Sequence, residues 1–222
     1  MKILSIDTST KSFSLVVTDG EKVLAQKDIV LEKVLSDSII PAIDKILSQA
    51  KVLLPKLDGF CVGLGPGSFT SLRVGLSTIK GLAFALKKPV VGISSLDGLA
   101  MNVKEDADIL TVVDAKRNLF YTCFYQKKGI ALKRKSKYLL LSADEVLKVM
   151  KPGMILVGDG VGLLQDKIAR ESGVVLADPD NWYPKAENLA LLSLERFKKK
   201  DFDNISTLVP LYLYPEDCQV QK

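Results

Sequence analysis

Apolar positions along the chain change period in a set order. Ile3, Leu4 and Ile6 form a short run that ends in Asp7. Two alternating runs, Phe13 to Thr18 and Lys22 to Val30, then flank Asp19-Gly20, a dipeptide that favours tight hairpins, so three consecutive strands are predicted. After Ser36-Asp37-Ser38 the period becomes helical, with Ile39, Ile40, Ile43, Ile46, Leu47 and Ala50 in step, and Pro41 fits if it falls in the first turn. Gly59 to Leu64 reads as a buried strand, Gly65-Pro66-Gly67 as a turn, and Ser68 or Thr70 as the cap of a helix to about Leu86. Pro89 to Ile93 is another buried strand, and Ser95 is placed to cap a short helix.

The second half repeats the plan. Ile109 to Asp114 echoes Ile3 to Asp7, and Leu119 to Tyr125 follows as a strand. A turn at Lys127-Lys128-Gly129 leads to a third strand ending near Lys135. A helix over about Ala143 to Met150, a strand Met154 to Val157 and the turn Gly158-Asp159-Gly160 match the order around Gly59 to Gly67. A last helix opens at Pro184, aligns Ala186, Leu189, Ala190, Ser193 and Phe197, and closes on Lys198-Lys199-Lys200, which suits the negative end of its dipole. Three strands, helix, strand, helix, written twice, predicts an α/β protein of the actin-like ATPase (ribonuclease H-like) fold. Its two tandem βββαβα-type lobes are expected over 1–100 and 101–222, the alternative being one doubly wound sheet in which the order recurs by chance.

Composition narrows the chemistry. The 222 residues are 47% hydrophobic and 26% charged, which fits a globular chain rather than a disordered one. There is no histidine, so Ser-His-Asp and Cys-His nucleophiles and histidine-ligated metal sites are excluded, and no metal site is expected. Cys61, Cys123 and Cys218 lie too far apart for a metal knuckle and read as free thiols. No run approaches the length of a membrane span, and with no leader pattern a cytoplasmic location is expected, with no membrane partner. The net charge of +5 neither demands nor forbids an anionic partner.

Asp7-Thr8-Ser9-Thr10 ends the first strand where this fold would place a phosphate-binding hairpin, but no close-approach glycine follows the aspartate. The matching Asp114-Ala115-Lys116-Arg117 has none either. Asp7, Thr8, Ser9 and Asp114 are therefore the residues of a vestigial nucleotide site, the plainer alternative being hydroxyls that satisfy a hairpin. Gly63 to Gly75, GLGPGSFTSLRVG, sets a special backbone before a helix N-terminus but is not a Walker loop. The helix that follows carries Gly75, Thr78, Gly81 and Ala85; this small face packs either on the chain's own sheet or on a second chain. Lys127, Lys128, Lys133, Arg134, Lys135 and Lys137 crowd one hairpin without an acid, which reads as a solvated face or as an RNA contact.

Taken together, Ile6-Asp7-Thr8-Ser9-Thr10, the Gly63 to Gly75 motif, Asp114-Ala115-Lys116-Arg117 with Phe120-Tyr121, and Pro184-x-Ala186 resemble the TsaB (YeaZ) family. The resemblance implies a non-catalytic subunit of tRNA N6-threonylcarbamoyladenosine synthesis. Its implied partners are a catalytic paralogue, TsaD, and an ATPase, TsaE, with a homodimer when alone and tRNA met only indirectly or weakly. It implies no cofactor of the chain's own; whether a nucleotide lodges at the subunit interface is left open. The family's association surface lies on the helices near 38–50 and 70–86, which here points to Ser38, Ile39, Pro41, Ile43, Ser68, Phe69, Leu72, Arg73, Gly75, Leu76 and Ile79. Departures from the family pattern fall at Asp37, Ser71 and Tyr212-Leu213-Tyr214. The competing function is a small ATPase or phosphotransferase of the same fold.

Overall fold

A computed structural model describes residues 1–30, 35–168 and 172–214. Contacts group the chain into two compact units, Met1–Gly98 with Pro184–Pro210, and Leu99–Tyr183 with the residues from Leu211.

In the first unit β1 (Lys2–Asp7), β2 (Ser12–Asp19) and β3 (Lys22–Val30) form an antiparallel meander, with Gly20 at φ 60° in the tight turn. Then come α1 (Leu35–Ala50), β4 (Gly59–Gly63), α2 (Phe69–Leu86), β5 (Val90–Ile93) and α3 (Ser95–Ala100), whose last two residues already count with the second unit. The sheet order is β3-β2-β1-β4-β5, with β4 and β5 parallel to β1. Alternation along β1 and β4 sends side chains to two different cores. Leu4, Ile6, Phe60 and Val62 join Ile39, Ile43, Leu76 and Ile79 from α1 and α2, whereas Ile3 and Cys61 join Val91, Leu189, Leu194 and Phe197. The last three belong to the final helix (Ala186–Lys198), which packs on β1, β2, β4 and β5. The expected boundary, with everything after residue 100 in a second lobe, is therefore corrected. The final helix returns to the first unit because a sheet apolar on both faces needs a cover on each.

Arg196 fixes this return. Its Nη1 donates to Gly92 O and Asp203 Oδ2, both at 3.1 Å, and its Nε to Asp201 Oδ2 at 2.8 Å. Burial alone would lower the guanidinium's pKa, but its bonds to the Asp203 and Asp201 carboxylates, and their charges, outweigh that and raise it.

The second unit holds β6 (Ala107–Asp114), β7 (Leu119–Lys128), β8 (Ala131–Arg134), β9 (Leu139–Ser142), α4 (Ala143–Val149), β10 (Ile155–Val157), α5 (Val161–Leu164) and β11 (Val175–Leu176); the final helix is α6. Its order, β11-β10-β6-β7-β8, read backwards is that of the first sheet, with the same antiparallel and parallel steps. The protein has the actin-like ATPase fold. One strand was not foreseen: β9 pairs with the first half of β7, from Leu119↔Ser142 to Thr122↔Leu139, while β8 takes the second half. Ser142 then opens α4 through a capping box with Glu145. The β7–β8 turn lies one step later than expected, at Gly129-Ile130, so Lys127 and Lys128 belong to β7.

Two helix starts also differ from expectation. The first helix already includes Leu35, so Pro41 lies in its interior, beyond the first turn where it costs least; Pro41 is exposed. At α3 the capping hydroxyl is that of Ser94, which accepts from Leu96 N at 3.2 Å, and this frees Ser95 for another task.

Candidate functional site

At the end of β1, Asp7 has no exposed surface. Its Oδ1 accepts from Ser9 N at 2.8 Å and Ser9 Oγ at 2.6 Å, and its Oδ2 accepts from Ser95 Oγ at 2.5 Å. The same Ser95 hydroxyl accepts from Gly65 N at 3.0 Å, so one aspartate ties the β1 loop to the glycine-rich turn and to α3.

Glycines make that closeness geometrically available. A Cβ at Gly63 would fall on the Asp7 carboxyl, one at Gly67 on the Ser9 carbonyl, and one at Gly75 on the Thr8 hydroxyl. Ser68 N donates to Ser9 O at 2.7 Å and Thr8 Oγ1 to Ser71 O at 2.9 Å. In consequence Thr8, Ser9 and Thr10 are all buried. The hydroxyls that the sequence offered for a phosphate are engaged within the chain, Thr8 with Ser71 O at the α2 entry, Ser9 with Asp7 and Thr10 with Ser12 O, and the N–H of Ser68 at the start of α2, which could receive an anion, already serves Ser9. In the second unit Asp114 is half-buried. Its Oδ1 accepts from Lys116 N at 2.7 Å, its Oδ2 pairs with Lys116 Nζ at 2.5 Å, and its own N–H donates to Asp159 Oδ1 at 3.0 Å.

Burial pushes the Asp7 carboxyl above its ordinary 3.8, and the bonds from Ser9 and Ser95 pull the other way without cancelling it. The folded chain thus keeps this proton to higher pH than the unfolded chain does. Its favourable contribution is complete below about pH 4 and declines as pH rises through the raised value. Melting midpoints of the wild type should fall over that window. Asp7→Asn, which cannot ionise, should flatten that part of the profile and melt higher than wild type near neutrality; parallel profiles would contradict this account of the site.

The expected association residues divide. Ile39, Ile43, Leu72, Gly75, Leu76 and Ile79 are buried in the chain's own core, because the apolar stripe of each helix faces its own sheet, so these six are corrected as outward-facing residues. Ser38 is half-buried, while Pro41, Ser68, Phe69 and Arg73 are exposed, with the Arg73 guanidinium 3.6 Å from the Phe69 ring centre. Sequence reasoning missed Ile40, Ser77 and Phe84 on the outer side, and grouped Gly75 with Gly81. Phe84 is 79% exposed and Ile40 53%, and at Gly81 an added Cβ would meet nothing within 4 Å. The signal available in sequence was the spacing Ser77, Gly81, Phe84 and Ala85, which lies on one side of a helix and opposite Leu72, Leu76, Ile79 and Ala83.

Among the described residues no helix is long and apolar enough to cross a membrane. A family model described as TsaD, tRNA N6-adenosine threonylcarbamoyltransferase, matches residues 29–172. TsaB of Bacillus subtilis, named as a tRNA threonylcarbamoyladenosine biosynthesis protein, is 30% identical over 221 residues, which cover 96% of this chain and 94% of the relative. The structure of YeaZ from Pseudomonas aeruginosa superimposes with a TM-score of 0.83 at 23% identity, over 96% of this chain and 99% of that one. At 12% identity the activator of the 2-hydroxyisocaproyl-CoA dehydratase from Clostridium difficile, solved with ADPNP, has a TM-score of 0.53 over 92% and 99% of the two chains and shares the fold.

Proposed function

The chain belongs to the TsaB (YeaZ) family of tRNA threonylcarbamoyladenosine biosynthesis proteins, and from that premise we propose that it serves this synthesis as a subunit without chemistry of its own. It docks a catalytic paralogue of the TsaD type through the outer side of α1 and α2, and pairs with itself through the same side when the paralogue is absent. The transfer belongs to the paralogue, a TsaE-type ATPase joins the pair, tRNA is met as part of the assembly, and the work is done in the cytoplasm.

The observation that carries this reading is the closure around Asp7. The group that would hold a metal-nucleotide in an active relative of the fold is spent on Ser9 and Ser95. What α2 leaves on its outer side is Gly81 with open space, flanked by an exposed Phe84. An interior helical glycine costs ~1 kcal/mol against alanine, and no contact within the described residues repays it, which favours close approach by a second chain. The absence of histidine argues against a peptidase or any other imidazole-dependent activity. A phosphotransferase reading would need the Thr8 to Thr10 loop to leave α2 and surrender the bonds from Ser68 N to Ser9 O and from Thr8 Oγ1 to Ser71 O.

The test is omission. A tRNA modification reaction reconstituted from the paralogue, the ATPase and this chain should lose most of its rate when the chain is withheld and recover it on adding back Asp7→Asn. Full rate without the chain would remove the proposal, and loss of recovery with Asp7→Asn would revive the phosphotransferase.

A further inference from the structure

The chain's excess of positive charge is not spread over its length. The segment from Lys127 to Lys137 holds six basic residues and no acid, and with those six set aside the remaining 25 basic residues are outnumbered by the 26 acids. The net charge of +5 therefore resides in one hairpin.

The fold arranges these groups. The path of the second sheet ends at β8, so the hairpin is an edge. Gln126 pairs with Lys133 and Lys128 with Ala131, and Lys135 N donates to Phe124 O at 2.7 Å. Pairing in this register puts Lys128, Lys133 and Lys135 on one face, with Lys133 and Lys135 about 7 Å apart along the strand. All three are exposed, as is Lys137. Arg134 lies on the other face, its guanidinium 4.5 Å from the Tyr138 ring centre. Lys127 is the exception, with a buried side chain whose Nζ donates to Lys104 O at 3.2 Å. The nearby acids on the β6 side are committed: Asp106 Oδ1 accepts from Gly129 N at 2.7 Å and Asp108 Oδ1 from Gln126 Nε2 at 3.3 Å.

Lysine on an edge strand also discourages edge-to-edge pairing. A row of three exposed lysines, in the segment that holds the chain's excess of positive charge, fits a polyanion whose charges repeat along a line. We infer that the β7–β8 hairpin binds the phosphate backbone of tRNA, with Lys128, Lys133 and Lys135 as its contacts. The inference rests on the tRNA-biosynthesis reading above for the identity of the polyanion. Such contacts position an RNA without reading its sequence.

Fluorescence anisotropy of the full chain with a labelled, unmodified tRNA tests this across salt from about 50 to 200 mM. Binding should weaken steeply with salt. The triple variant Lys128→Ala, Lys133→Ala, Lys135→Ala should bind at least ~10-fold more weakly at the low end, and its log K against log salt should be shallower by about 2–3. Lys22→Ala, Lys56→Ala, Lys151→Ala, which removes equal charge from other exposed positions, should change little. Absence of binding by the wild-type chain, or equal losses in both triples, would overturn the inference. So would a hairpin variant that keeps its RNA affinity but no longer pairs with the paralogue, since the hairpin would then face an acidic protein. Pairing and the omission assay read the earlier proposal separately, so RNA binding can fail while that stands.

Discussion

Phe84→Glu should weaken association with the catalytic paralogue by at least about 30-fold, the factor that corresponds to a hot-spot loss of ~2 kcal/mol, and should leave the melting midpoint of the isolated chain where it was. The two halves of this expectation come from one fact. Phe84 is 79% exposed on the outer side of α2, so a charge there removes little packing from the folded chain. In a pairing that uses this side, an aromatic of that size is the largest apolar group α2 can bury, and glutamate would have to be desolvated in its place. Sedimentation velocity of the mixture reads the first half and a thermal melt the second. Wild-type pairing by the variant would place the docking face elsewhere. Leu72→Asp would teach much less: Leu72 is buried, and lost pairing would follow from lost folding.

That contrast marks how far the sequence could be read. Hydrophobic period identifies the side of a helix that folding buries, and for α1 it did so at Ile39, Ile43, Ile46 and Leu47, which reach the core, while Ile40, read in the same stripe, is exposed. The same signal is blind to the residues proposed above for docking, which lie opposite the stripe and look like ordinary surface, a glycine here and a lone phenylalanine there. The duplicated strand order was legible because each Asp-ended apolar run and each turn dipeptide is a local signal. Leu139 to Ser142 had no such mark, being four residues without alternation, and only the free first half of the long β7 gives them a partner. The return of α6 to the first unit was equally hidden, since Leu189 and Phe197 show that a helix has an apolar face but not which sheet lacks a cover. Around Asp7 the sequence shows the acid and the hydroxyls of its own loop but not the partner the fold brings to them. Ser95 lies 88 positions away, and only the fold brings its hydroxyl to Oδ2.

Gly75 and Gly81 sit in one helix six residues apart, and the same substitution should act on them with opposite sign. Gly81→Ala adds a methyl to open space and removes the entropy cost of a helical glycine, so the isolated chain should gain up to ~1 kcal/mol in chemical denaturation. Gly75→Ala gains the same propensity but drives its Cβ into the Thr8 hydroxyl, which is itself held to Ser71 O. The β1 loop has little room to yield, because Ser9 is bound on one side to Asp7 and on the other to Ser68 N, against Gly67. Overpacking of this kind costs about 1–3 kcal/mol, and Gly75→Leu should exceed it by forcing the loop off α2 altogether. If Gly75→Ala proved as stabilising as Gly81→Ala, the β1 loop would be free to move away from the helix. Its hydroxyls would then be open to a phosphate rather than spent on the fold.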